Sequence, residues 1–255
     1  MEAICISGGG CKAVSLLGLL YEYHNRDLLN IQTWSTCSVG GFIAVLLLCG
    51  VNPLQMLNYY PQIENVSPSI DLLSLLVTKS GIMRIQKYTK KFCDTVEKFV
   101  GIKNPTLLQF YEKTGKTIYI EAVNITTEEV VYFNHKDHPN VSLFSAIWAS
   151  AAIPGIFIPI KIDGESYIDG GMYCTVPLAP IMGLKTIAFT FVSDKDFLSF
   201  LKIPSTIVKK EAIKNHKQLT IVECKYNFSL LDFKKSSSEL LDEFTFGREQ
   251  YNFSL

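Results

Sequence analysis

Residues 33–49 read "TWSTCSVGGFIAVLLLC". The first five have strand character, with Trp34 and two threonines. From Val39 onward the stretch is an uncharged apolar helix. Ser38 stands between them, with Gly40 and Gly41 just beyond. A strand that reverses abruptly into a helix needs small residues at the turn, and a serine at that point is presented as a nucleophile. Two readings stay open here. A serine before a helix is also a common N-cap. The usual elbow is Gly-x-Ser-x-Gly, and Thr36 occupies the first glycine position. A β-branched residue suits a strand but crowds a turn.

Working outward, the same strand–turn–helix pattern recurs. "AICIS" (3–7) is a buried strand, followed by Gly8–Gly10 and a helical segment over 11–26. Residues 53–60 and 70–77 read as short helices or turns. An amphipathic helix is expected over 85–100, and a second over 106–115 that ends at Gly115. "TIYIEAVNITTEEVVYF" (117–133) reads as a hairpin. A small-residue helix follows at 143–152, then a strand at 166–171 that closes on Asp169–Gly171. Apolar strands at 185–192 and 219–224 and a helix over about 236–251 complete the chain. Near-continuous apolar strands alternating with helices predict a three-layer α/β/α fold around a mostly parallel central sheet. No repeat or long linker divides the chain. It reads as one domain over 1–255, with a motif-bearing core of about 1–193 and a C-terminal strand and helices over 194–255.

Bulk properties narrow the class. The 255 residues are 48% hydrophobic and carry 24 basic and 24 acidic side chains. Zero net charge argues against nucleic acid as a partner, because such domains are usually clearly basic. The N-terminus has no basic segment followed by a long apolar run, so no signal peptide is expected. The apolar run 42–49 is far short of the roughly 18–20 residues that span a bilayer. An intracellular protein, cytoplasmic or peripherally membrane-associated, is the expectation. The seven cysteines lack metal-ligand spacing and read as reduced thiols.

Three turns fall at strand ends, where open α/β sheets place their sites. Gly8, Gly9 and Gly10, with Cys11 and Lys12 after them, fit an oxyanion hole, a phosphate cradle or a ligand-free turn. The Walker spacing is absent, and Ala13 breaks the dinucleotide spacing. Asp169–Gly170–Gly171 fits a general base, a metal ligand or a turn former. None of His24, His135, His138 and His216 follows a strand where a triad would need it. Each reads as a solvated surface histidine, and no metal site is assigned.

The combination is more specific than its parts. A glycine-triplet loop, a serine elbow about thirty residues later and a distal Asp-Gly-Gly together resemble the patatin-like phospholipases. The likeness extends to "AIWASAAIPGIFIPIKIDGESYIDGG" (146–171), "TLLQFYEKTGKTIYIEAVNITT" (106–127) and the closing segment 230–250. It implies a patatin-like three-layer fold. It also implies a nucleophilic Ser38 paired with Asp169, and an oxyanion loop of Gly8, Gly9, Gly10 and Cys11 with Lys12 at the family's basic position. Gly40, Gly41, Gly170 and Gly171 would shape the turns. The family hydrolyses acyl esters of phospholipids and other lipids without metal, cofactor or histidine, which matches the failed search for a triad histidine. Thr36, Ala13 and Thr175 depart from the family pattern, and Thr36 bears most directly on the elbow. If it spoils the turn, the chain is a weak or inactive lipid-binding relative. If an alcohol replaces water as acceptor, it is an acyltransferase. "IDLLSLLV" (70–77) and "DFLSFLKIP" (196–204) are candidates to dip into a membrane surface at the mouth of the site, with core packing as the alternative for the first.

Overall fold

A computed structural model describes residues 1–61, 81, 83–192 and 203–253. Its centre is β1 (Ala3–Ile6), and the side chains of that strand explain the layering. Successive residues point to opposite faces. Ile4 and Ile6 enter the larger core, while Ala3 and Cys5 enter a smaller one. Both sets are apolar because both faces are covered. The larger core receives α1 (Ala13–Asn25), α2 (Val39–Leu48), α3 (Lys90–Val100), α4 (Leu107–Thr114), α5 (Leu143–Ser150) and α7 (Ser237–Glu249). The smaller holds Val176, Leu178 and Ile181, with Ala212 and Ile213 of α6 (Ile203–Asn215) packed against it.

The parallel part of the sheet runs β8 (Leu219–Cys224), β7 (Thr186–Phe191), β1, β2 (Thr33–Cys37), β3 (Thr117–Asn124). Each of these neighbours pairs in parallel. The expected hairpin partner, β4 (Glu129–Phe133), lies antiparallel on β3. Beyond it the sheet does something the strand pattern alone does not reveal. β6 (Glu165–Asp169) pairs antiparallel with Ala122–Asn124, residues that also pair with β4. Ile120 and Glu121 pair with both β4 and β2. A strand has two edges, so β2 and β6 share one edge of β3 and run towards each other along it. Cys37 ends opposite Glu121, and Asp169 ends opposite the next residue, Ala122. That collision of two strand ends brings residues 131 positions apart together.

Three expectations change. The strand at 166–171 is the second arm of a hairpin with β5 (Ile160–Ile162). Asp163 and Gly164, at φ 51° and 87°, make a tight reversal between them. The single helix expected over 85–100 is a 3₁₀ turn, Ile85–Tyr88, followed by α3. The break falls at Thr89, whose hydroxyl accepts a hydrogen bond from the Trp148 indole at 2.9 Å. α6 carries no single apolar stripe and gave no sequence signal. "IDLLSLLV" and all but the last two residues of "DFLSFLKIP" lie outside the described residues. Among the described residues, no helix is long and apolar enough to cross a membrane.

Candidate active site

Ser38 sits between β2 and α2 with φ 54° and ψ −127°. Positive φ is uncommon for a residue with a Cβ, and such a conformation costs on the order of 1–3 kcal/mol unless the surroundings enforce it. Here they do. The Ser38 amide donates to Ser150 Oγ at 2.8 Å, and the Ser38 carbonyl accepts from the Gly41 amide at 2.9 Å. Its hydroxyl makes no cap bond to α2. It donates instead to Asp169 Oδ2 at 2.6 Å, the length of a hydrogen bond to a charged acceptor. The other Asp169 oxygen accepts from the Gly171 amide at 2.7 Å, and the Asp169 amide is tied to the Ala152 carbonyl at 3.0 Å. Both side chains are buried. The Asp-Gly-Gly turn is thus a device for aiming one carboxylate oxygen while occupying the other.

The glycine loop runs along the same site. A methyl group on Gly8 would lie 3.1 Å from Ser38 Cβ. The Gly8 amide is held by the Thr175 carbonyl at 3.0 Å, so Thr175 serves the loop through its backbone. The Cys11 amide donates to the Leu230 carbonyl at 3.1 Å and is therefore already engaged. The amides of Gly9 and Gly10 have no such partner among the described residues. Lys12 is buried, and its ammonium donates to Tyr226 Oη at 2.8 Å. It does not line the cavity at Ser38.

Thr36 lies within β2, two residues before Ser38. Its side chain is fully buried, and its hydroxyl donates to the Tyr119 carbonyl of β3 at 3.0 Å. That bond points it across β2 from β1, the strand that leads into the glycine loop.

Ser38 opens onto a cavity of about 160 Å³. Phe42, Leu46, Tyr60, Phe92, Phe157 and Phe233 are among the mostly apolar side chains that line it, and Gly10 and Cys11 line it as well. An alkyl chain fits such a lining, at about 0.8 kcal/mol for each methylene buried.

A model of the patatin-like phospholipase family matches residues 4–182, a span that contains all three turns. The chain belongs to the patatin-like phospholipase family. One relative within it, the probable lipid hydrolase 463L of Invertebrate iridescent virus 6, is 29% identical over 180 residues. That match covers 69% of this chain and 62% of the relative. Triacylglycerol lipase ptl2 of Schizosaccharomyces pombe is 24% identical over 206 residues, covering 75% of this chain and 32% of that protein. The chain thus spans only part of the length of either. VipD from Legionella pneumophila shares the fold with a TM-score of 0.61 at 14% identity, over 99% of this chain and 66% of VipD. ExoU of Pseudomonas aeruginosa, solved with SpcU, gives 0.51 at 14% identity, over 100% of this chain and 53% of ExoU.

The patatin-like motifs account for the turns and miss several residues that hold them. Ser150, which anchors the Ser38 amide, was hidden in a run of small residues. Glu121 was legible only as an odd acid in an apolar strand. It is fully buried beside the Asp169 turn, and a methyl group on Gly170 would lie 2.5 Å from its carbonyl. Burial above all holds the Glu121 carboxyl well above the ordinary carboxylate range, with Asp169 adding to the shift and Tyr132 across the ladder opposing it. The histidine reading needs correction, since His135 and His216 are buried. His135 stacks on Tyr111 at 3.7 Å, and burial lowers its pKa.

A pH experiment follows from Glu121. The folded chain keeps this proton after an exposed carboxylate has lost it, so unfolding releases a proton. Stability then falls as pH rises above the unfolded pKa, by up to about 1.4 kcal/mol per unit, until the folded pKa is reached. Glu121→Gln is expected to remove that component. Denaturant melts at several values between pH 5 and 8 should show a flatter decline in the variant. Parallel slopes would sink the assignment.

Proposed function

We propose that the chain is a lipid acyl hydrolase that works through Ser38 and Asp169. The observation that carries this reading is the 2.6 Å hydrogen bond between the two, with Ser38 lining an apolar cavity. Asp169 takes the hydroxyl proton as Ser38 Oγ attacks the ester carbonyl carbon. The Gly9 and Gly10 amides hold the resulting oxyanion. Collapse of the tetrahedral adduct expels the lipid alcohol, which takes the proton from Asp169, and leaves the acyl group on Ser38. Water then attacks the acyl-enzyme, giving its proton to Asp169. The second collapse frees the fatty acid and returns the proton to Ser38.

The substrate on this reading is an ester with a long apolar acyl chain, drawn from a membrane or lipid surface. The test is active-site labelling beside turnover. A fluorophosphonate probe should label the wild-type chain and not Ser38→Ala, and only the wild type should release fatty acid from lipid vesicles. Hydrolysis retained by Ser38→Ala would falsify the mechanism. Release of acyl ester rather than free acid when an alcohol is supplied would redirect it towards transfer.

A further inference from the structure

Residues 225–235 connect β8 to α7 and lie beyond the span that the family model matches. They cross directly over the glycine loop. The Leu230 carbonyl accepts the Cys11 amide, and a methyl group on Gly10 would lie 2.4 Å from that same oxygen. Gly10 has φ 54°, so the loop reaches this contact in a conformation that favours glycine. The Lys12 ammonium bonds to Tyr226 Oη and lies 4.0 Å from the centre of its ring. Tyr226 packs edge-on against Phe191 with centroids 5.7 Å apart. The Phe191 ring in turn leaves only 2.2 Å for a methyl group on Gly9. Gly9, Gly10, Cys11 and Lys12 are thus each fixed by the segment directly or by a ring it braces.

The segment is itself anchored. The Asn227 amide donates to Glu243 Oε1 at 2.8 Å. Glu243 is a buried acid of α7, and the same oxygen accepts from the Ser15 hydroxyl of α1. At the far end, the Tyr60 hydroxyl donates to the Asp232 carbonyl, and Phe233 lines the cavity.

We propose that residues 225–235 form a strap that sets the positions of the Gly9 and Gly10 amides, with Lys12 and Tyr226 as positioning residues rather than substrate contacts. This rests on the hydrolase reading above, in which those two amides hold the oxyanion. Such donors act by being fixed before charge develops, and the loss of one typically costs about 10²–10³-fold in rate. A basic side chain beside a lipid site would ordinarily be assigned to a headgroup phosphate. Lys12 is instead buried against Tyr226, away from the lining of the cavity. It acts on the donors through the loop that carries it.

The experiment compares the full chain with Tyr226→Phe, Tyr226→Ala and Lys12→Met. Two substrates share one reporter acyl chain: a phosphatidylcholine and the corresponding neutral glyceride. Melting temperature, kcat and KM are measured for each. Tyr226→Ala and Lys12→Met should lose roughly ten- to a hundredfold in kcat, equally on both substrates, with KM within about twofold of wild type. Tyr226→Phe keeps the ring and removes only the hydroxyl that accepts from Lys12, and it should show a smaller loss of the same kind. A rise in KM confined to the phospholipid in Lys12→Met would make Lys12 a headgroup contact and overturn the proposal. So would wild-type kcat in Tyr226→Phe and Lys12→Met, or a kcat loss that only tracks melting temperature across the three variants. An active wild type with unaffected variants removes the strap and leaves the hydrolase reading standing. A wild type that neither labels nor turns over removes both.

Discussion

Asp169→Asn is expected to lower kcat by about 10²–10⁴-fold while the melting temperature stays close to wild type. The substitution changes almost no volume, and the hydrogen bonds of the carboxylate to Ser38 and Gly171 decide how asparagine sits. Oδ1 accepts from the Gly171 amide. An asparagine turned the other way would set its NH₂ against that N–H, so its carbonyl stays with Gly171. The NH₂ then faces Ser38, where Oδ2 now accepts the hydroxyl proton at 2.6 Å. A donor cannot receive that proton, and Ser38 loses its base while the elbow keeps its shape. The backbone bond from Asp169 to Ala152 is untouched. Steady-state kinetics beside a thermal melt provide the check. A variant within a few-fold of wild-type kcat would show that the proton goes elsewhere, and a large drop in melting temperature would make the loss structural.

The elements of this site were legible in the sequence, but the way they meet was not. β1, β2, β7 and β8 are short runs of strand-forming residues, and each lies within a residue or so of where composition put it. The turns at Gly8–Gly10, Ser38 and Asp169 stand out because glycine and abrupt changes of periodicity are local signals. Pairing is not local. Nothing in residues 165–169 says that they run head-on towards β2 along one edge of β3, and the contact between Ser38 and Asp169 depends on that arrangement. Backbone partners leave no trace either. The Leu230 carbonyl and the Thr175 carbonyl hold the glycine loop, and any residue could supply a carbonyl. Lys12 illustrates the limit of a motif. Its position in the chain matched the family's basic residue, but the aromatic partner that takes up its ammonium comes from 214 residues away.

Gly40 and Gly41 read alike in the sequence, and the structure separates them. A methyl group on Gly40 would lie 2.4 Å from the Ile6 carbonyl and 2.9 Å from that of Ser7. Both belong to the backbone where β1 leads into the glycine loop, and neither can swing aside. A methyl group on Gly41 would meet Ile147 Cδ1 at 2.8 Å, the far end of a side chain that can change rotamer. Gly40→Ala therefore has to lift the first turn of α2 away from β1. Ser38 begins that turn and Gly8 follows Ser7, so the shift falls on the spacing between Ser38 and the glycine loop, which on the proposed mechanism is the spacing between nucleophile and oxyanion donors. A displacement of about 1 Å at such a site can cost on the order of 10²-fold in rate, and the overpacking should cost about 1–3 kcal/mol in stability. Gly41→Ala is expected to keep most of its activity and to melt within a few degrees of wild type. The pair is measured together by kcat, fluorophosphonate labelling rate and thermal melt. Equal damage from both would mean that the elbow simply rejects bulk. Damage confined to Gly40→Ala would mean that the close approach of α2 to β1 is what places Ser38 against the glycine loop.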